Sequence, residues 1–194
     1  MLEYYFPEAV VLAKDSVGEA DSRVFLYAKD FGKLVAKARS ARKITSKLSS
    51  HLEPGNLIQV RLVEKNGLQV VDALKTGKVE INFPDLFFLN EVLHEADYDL
   101  AVWGELTANC PSTQLGASKS QIANHDKIEP KFSWTKVLKI LGWDPEQASC
   151  GICKRNKPYS FNINEQSFIC ENCVFDTESL PKNFWGREVQ FIKI

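Results

Sequence analysis

Four cysteines near the end of the chain stand in two pairs of equal spacing, Cys150-x2-Cys153 and Cys170-x2-Cys173. A two-residue gap lets neighbouring thiolates turn onto one tetrahedral ion. The 16 residues between the pairs suffice for a β-hairpin that returns the second pair to the first. Four sulfur donors suit one structural Zn²⁺ ion and leave no open coordination position for catalysis. Metal binding of this kind contributes on the order of 10 kcal/mol of folding free energy and replaces the apolar core that so short a loop cannot build. Cys110 has no partner at ligand spacing and is expected to be an ordinary buried or half-buried thiol.

A second chemical feature lies upstream. Lys29, Lys33, Lys37, Arg39, Arg42, Lys43 and Lys47 fall within 19 residues and face only Asp30 as an opposing acid. Lys33, Lys37 and Arg39 share a parity that an uninterrupted strand would place on one face. Arg42, Lys43 and Lys47 would extend from a loop or short helix beyond it. A positive groove on a small barrel suits a phosphate backbone, with Phe25, Tyr27 and Phe31 as candidates to stack on bases and at least two of them expected in the core. The competing reading is a strand edge guarded by lysines, but seven basic residues exceed what such a guard requires.

The elements that must carry these groups change character along the chain. Residues 9–12, 23–27, 33–37, 57–63 and 68–74 read as short strands, the last two joined by Asn66-Gly67, a dipeptide suited to a type I′ hairpin. Five strands with a break after the third fit a small closed barrel, the OB-fold best and an SH3-like barrel less well, with a short helix at residues 45–51 filling the break. Phe83-Pro84-Asp85 looks like a helix start, with Leu86, Leu89, Leu93 and Ala96 on one face. Tyr98–Leu106 continues as helix, residues 107–128 read as a loop, and a further helix opens at Ser133 and closes at Gly142. Residues 159–163 and 166–169 alternate about Asn164-Glu165 as the zinc hairpin. The expected architecture is α+β and multidomain: an N-terminal OB-fold barrel at 1–78, a small helical domain at 79–143, a four-cysteine zinc module at 144–180 and a tail at 181–194.

The 194 residues are 44% apolar with a formal net charge of −1, which excludes a disordered chain. That balance hides segregation. Residues 1–78 carry 13 Lys/Arg against 9 Asp/Glu, whereas residues 79–110 carry seven acids and no Lys or Arg. A near-neutral whole therefore permits a basic binding face; the acidic block suits a solvated helix face. No apolar run approaches the roughly 18 residues of a membrane span. The N-terminus lacks the pattern of a signal peptide, and thiols at metal spacing point to a reducing cytoplasm.

An enzyme is the rival class. His51, His94 and His125 are scattered, and no Gly-rich phosphate loop, nucleophile elbow or H-E-x-x-H helix is present. The residues thus point to a non-enzymatic, zinc-stapled binder of nucleic acid. The alternative is a barrel plus zinc ribbon that binds RNA, a protein or a small acyl ligand.

Several stretches resemble the RecO family of bacterial recombination mediators. They are Glu8-Ala9-Val10-Val11-Leu12, Gly18-Glu19-Ala20-Asp21, residues 31–37, residues 41–48, Leu141-Gly142-Trp143 and Tyr159-Ser160-Phe161 between the cysteine pairs. The resemblance implies an OB-fold, a helical domain and a zinc module. It implies binding of single- and double-stranded DNA, annealing of complementary strands, and action with RecR on strands coated by single-strand-binding protein so that RecA loads during DNA repair. Carried over, the DNA-contacting residues are Lys33, Lys37, Arg39, Arg42, Lys43 and Lys47, and the metal ligands are Cys150, Cys153, Cys170 and Cys173. No catalytic residue transfers. Two positions depart from the family pattern: Ser40 stands where a glycine-rich turn precedes Ala41-Arg42, and Asn164-Glu165 replaces paired glycines in the zinc hairpin.

Overall fold

Alternating apolar residues from position 2 onward build the first and longest strand, β1 (Leu2–Val17), in a computed structural model that describes residues 2–108, 110, 132–154, 157–178 and 191–194. It is followed by β2 (Asp21–Ala28), β3 (Gly32–Ala38), β4 (Asn56–Glu64) and β5 (Leu68–Lys78). The strands close in the order β1-β2-β3-β5-β4, with β4 returning to β1 and a short parallel contact, Lys37 against Gln69, joining β3 to β5. This is the OB-fold, and the parallel closure separates it from an SH3-like barrel.

β1 is longer than its apolar core suggests because it serves two neighbours. Leu2–Val10 pairs with β4 and Ala9–Val17 with β2. Pro7 falls in the register break between Phe6 and Ala9, where a missing N–H costs no ladder bond. Further breaks at Val11/Ala13 in β1 and at Leu57/Ile58 and Arg61/Leu62 in β4 bend the sheet enough to close. Inward residues such as Val11, Val24, Leu26, Ile58, Val60 and Leu62 fill the interior. Asn66 and Gly67 both take positive φ, as expected, but the last paired residues are Glu64 and Leu68, so Lys65 joins the turn.

The expected helix at residues 45–51 does not form. Residues 39–55 run as successive turns closed by short-range bonds such as Ser46 N–H to Lys43 O and Leu52 N–H to Leu48 O. Ala41 and Leu52 are fully buried in the barrel core, and Leu48 packs against it. Two inward anchors plug the barrel end without a regular helix.

Beyond the barrel, α1 (Phe83–Val92) starts where Asn82 accepts the Asp85 N–H, with Pro84 in its first turn. Leu86, Leu89 and Leu93 are buried as the spacing predicts. Ala96 is not on that face; the helix has ended, and Ala96 is exposed with φ of 60°. Asp99 caps α2 (Leu100–Thr107) by accepting the N–H groups of Ala101 and Val102.

The chain divides into two compact units, Met1–Phe132 and Ser133–Ile194. The division corrects the expected separate helical domain at 79–143: α1 and α2 belong to the barrel's unit, whereas α3 (Trp134–Ile140) belongs to the second. The expected loop at 107–128 lies mostly outside the described residues. Within the second unit, Ser133 occupies the N-cap position of α3 without a side-chain cap bond, and Gly142 follows the helix with φ of 91°. β6 (Ser160–Asn162) pairs with β7 (Ser167–Ile169) and with β8 (Phe191–Lys193). Residues 191–193 of the expected tail are therefore a strand. α4 (Glu171–Glu178) follows β7 directly. Among the described residues no helix is long and apolar enough to cross a membrane.

Candidate metal centre and basic loop

The four paired cysteines converge. Cys150 and Cys153 bracket a tight turn ahead of β6, Cys170 follows β7, and Cys173 lies in the first turn of α4. The turn is held by Gly151 N–H to Phe168 O at 2.7 Å and by Lys154 N–H to Cys150 O at 2.9 Å. The hairpin that returns the second pair has a four-residue loop instead of a two-residue one. Asn162 Oδ1 accepts the N–H groups of Asn164 and Glu165, and Gln166 takes φ of 48°. A side-chain acceptor and one left-handed residue thus do the work of the paired glycines seen in the family pattern.

All four sulfur atoms lie within 4.8 Å of one another, and none is in a disulfide. Cys153 Sγ and Cys170 Sγ are 3.8 Å apart. A tetrahedral ion with metal–sulfur bonds of about 2.3 Å holds its sulfurs about 3.8 Å apart, so the donor set fits. The electrostatics agree. Burial alone would raise the Cys150 thiol, but backbone N–H groups of Cys153, Cys170 and Ile152 donate to it and bring it down to about 6. Cys173 is pushed up to about 12, first by its contact with Cys170 and then by burial and the other two thiols. Four thiolates this close repel one another, and a bound cation removes the conflict. Cys110 is buried outside this cluster.

The structure separates the six basic residues expected to contact DNA. Lys33 is buried: its ammonium group donates to the carbonyls of Asn90 and of Leu93, the latter at 2.9 Å, and lies 5.8 Å from the Phe25 ring centroid. It thereby satisfies carbonyls at the C-terminal end of α1, where a cation is also favoured by the helix dipole. Desolvation lowers its pKa, opposed by Glu91 and Glu95. The adjoining cleft of about 320 Å³ has Asp15, Glu91 and Glu95 in its lining beside Lys33, three carboxylates that disfavour a phosphate there. Gly32 makes this docking feasible, because a Cβ there would lie 2.1 Å from Asp97 O. Lys33 thus fastens a helix and is corrected from the expected binding face.

The other five lie at the opposite end of β3 or just past it. Lys37 is exposed but pairs with Asp21 at 2.8 Å. Arg39, Arg42, Lys43 and Lys47 are exposed, and among the described residues none makes an ion pair. The loop that carries them is braced at its base. Ser40 N–H donates to Asp21 Oδ1, Arg42 N–H to Ala20 O and Arg42 Nη1 to Gly18 O, at 2.8, 2.9 and 3.0 Å. Ser40 has φ of 52°, the left-handed conformation that the family's glycine adopts freely.

The expected stacking aromatics do not join this cluster. Tyr27 is fully buried, exchanges hydrogen bonds with the Asp99 backbone and stacks on Trp103. Burial, only partly offset by its hydrogen bond with the Asp99 backbone, raises its phenol to about 12. Phe25 sits beside Lys33, and Phe31 is exposed but packs edge-on against Phe6 before β3 begins. The signal that separates Tyr27 from a stacking residue is Asp99, seventy-two positions away. Of the histidines, His51 accepts the Lys75 N–H through Nδ1, His94 is exposed in the acidic cleft, and His125 is outside the described residues.

The barrel matches the family model described as recombination protein O N terminal over residues 2–78, from the first residue of β1 to the last of β5. The chain is 40% identical over 186 residues to a DNA repair protein RecO of Cutibacterium acnes, covering 87% of this chain and 74% of that one. It is 28% identical over 198 residues to the RecO of Thermodesulfovibrio yellowstonii, covering 92% and 75%. Against the RecO of Bifidobacterium longum the figures are 23% over 178 residues, 88% and 74%. Taken with the OB-fold barrel and the converging cysteines, these matches mean that the chain belongs to the recombination protein O family.

Proposed function

We propose that the protein acts in DNA repair as a recombination mediator. It binds single- and double-stranded DNA through Arg39, Arg42, Lys43 and Lys47, with Lys37 at the margin. The observation that carries this reading is the braced basic loop. Four exposed cations that make no ion pair among the described residues stand on a turn segment pinned to the β1–β2 corner, a geometry that presents charge to a polyanion without first breaking salt bridges. Annealing follows without covalent chemistry: a positive surface reduces the repulsion between two strands and lets complementary bases sample pairing. Partnership with RecR and single-strand-binding protein, and RecA loading, complete the role implied by the family.

In this reading Cys150, Cys153, Cys170 and Cys173 hold one structural zinc ion, which supplies cross-linking and no reaction step. A small acyl ligand is disfavoured because side chains fill the barrel interior.

The test is binding of labelled single-stranded DNA across a salt series. Four phosphate contacts give a log–log slope near −3, or about fiftyfold weaker binding between roughly 50 and 200 mM salt. Arg42→Glu/Lys43→Glu is expected to abolish most of that affinity; binding that ignores both salt and charge reversal would overturn the reading.

A further inference from the structure

Ile44 lies inside the basic run, between Lys43 and Lys47, yet carries no charge and touches no core. It is 105% exposed, against 65% for Phe83 and 62% for Leu2, the next most exposed large apolar side chains among the described residues. An isolated exposed aliphatic residue means little by itself. Here the flanking chain is held: Arg42 N–H bonds to Ala20 O, Lys43 N–H to Ser40 O and Ser46 N–H to Lys43 O, while Ala41 is fully buried. The loop has the means to turn apolar groups inward and does so on both sides of Ile44, at Ala41 and at Leu48 and Leu52. Of the large apolar side chains in this loop, Ile44 alone is fully exposed.

A second observation gives this exposure a use. Proteins that grip single strands combine cations for the phosphates with a flat apolar group for the bases. The loop itself, residues 39–55, contains no Phe, Tyr or Trp; Tyr27 and Phe25 are committed elsewhere, and Phe31 precedes β3 whereas the loop follows it. A strand of that length separates the two ends by about 20 Å. Cations that hold consecutive phosphates bring the intervening bases to the side chain between them, and that side chain is Ile44.

We propose that Ile44 is an apolar wedge that enters between adjacent bases of the bound strand and unstacks them, while Arg42, Lys43 and Lys47 hold the flanking phosphates. The inference rests on the nucleic-acid reading above and deepens it. Insertion of branched aliphatic side chains between base steps is energetically feasible where the surrounding phosphates are neutralised. A strand held unstacked is open to a complementary partner, and pyrimidine-rich strands, which stack weakly, are preferred over stacked poly(dA).

The experiment uses the full chain and a single-stranded oligonucleotide with one 2-aminopurine between adenines, whose fluorescence rises on unstacking. Wild type at saturation is expected to raise the signal severalfold. Ile44→Ser should keep the salt slope and lose affinity by no more than about tenfold, as for one base contact, while losing most of the fluorescence rise; Ile44→Leu should restore it. A wild-type complex with no rise, or an Ile44→Ser complex with the full rise, overturns the wedge. Failure of the parent reading looks different: wild type then shows no salt-dependent anisotropy change, or Arg42→Glu/Lys43→Glu binds as tightly as wild type, and the wedge falls with it.

Discussion

Lys33 shows how much a single side chain's role depends on what covers it. From sequence it belongs with Lys37 and Arg39 by parity; in the fold it is a buried cation serving two carbonyls 57 and 60 residues away. Replacing it with alanine would leave those carbonyls without their donor and open a gap beside Phe25, at a cost of about 2–3 kcal/mol. Lys33→Ala should therefore lower the urea midpoint of the barrel's unit with an unchanged m-value. Its DNA salt slope should stay at the wild-type value, and a slope shallower by about 0.7 would return Lys33 to the phosphate-contacting set. Ser40 is the converse case, legible from the resemblance as a departure and explained only by its φ. The acids of residues 79–110 also part company: Asp99 caps α2, Asp85 bonds to Asn82, and Glu91, Glu95 and Asp97 are solvated.

At the scale of elements, the strands were legible and the segment after β3 was not. Alternation identifies β2 through β5, and left-handed Asn66 and Gly67 mark their turn. The segment at 39–55 has the right length for a helix, but Ala41 and Leu52 must both reach the barrel interior, and turns meet that demand. Its base depends on Asp21, whose carboxyl is held below its ordinary 3.8 by the Lys37 hydrogen bond, then by the Ser40 N–H. Because the folded value is the lower one, this bracing is fully present above pH 3.8 and is lost as pH falls through the folded value. A carboxyl NMR titration should place Asp21 below the ordinary 3.8 of an aspartate, and amide signals of residues 39–43 should shift with it. An ordinary midpoint would mean that the brace is not formed in solution.

At the scale of the molecule, the two units rest on different kinds of cohesion. The first has a sixteen-member apolar core, whereas, among the described residues, the cluster at the cysteines of the second has Cys150, Ile169, Cys170 and Val174 as its buried members. A cluster that small does not hold a fold without help, so metal removal should act selectively. One zinc ion per chain is expected by elemental analysis. A strong chelator or Cys170→Ser should erase the tertiary signals of Phe161 and Trp143 while those of Tyr27 and Trp103 persist. Retention of both sets after complete removal would mean that the cysteine cluster does not depend on the ion.

Local features could be read from the chain alone: ligand spacing, strand alternation, helix starts at Phe83-Pro84-Asp85 and Ser133, and the concentration of charge in one segment. These follow from bond geometry and side-chain period over a few residues, and they were enough for the barrel, the four-cysteine cluster and the family. Long-range packing set which basic residues face solvent, tied Tyr27 to the start of α2, made residues 191–193 a strand of the second sheet and left Ile44 fully exposed within the basic loop. Each of those outcomes is set by which surface a distant segment covers, and burial by a partner many residues away leaves no periodic trace in the chain that is buried.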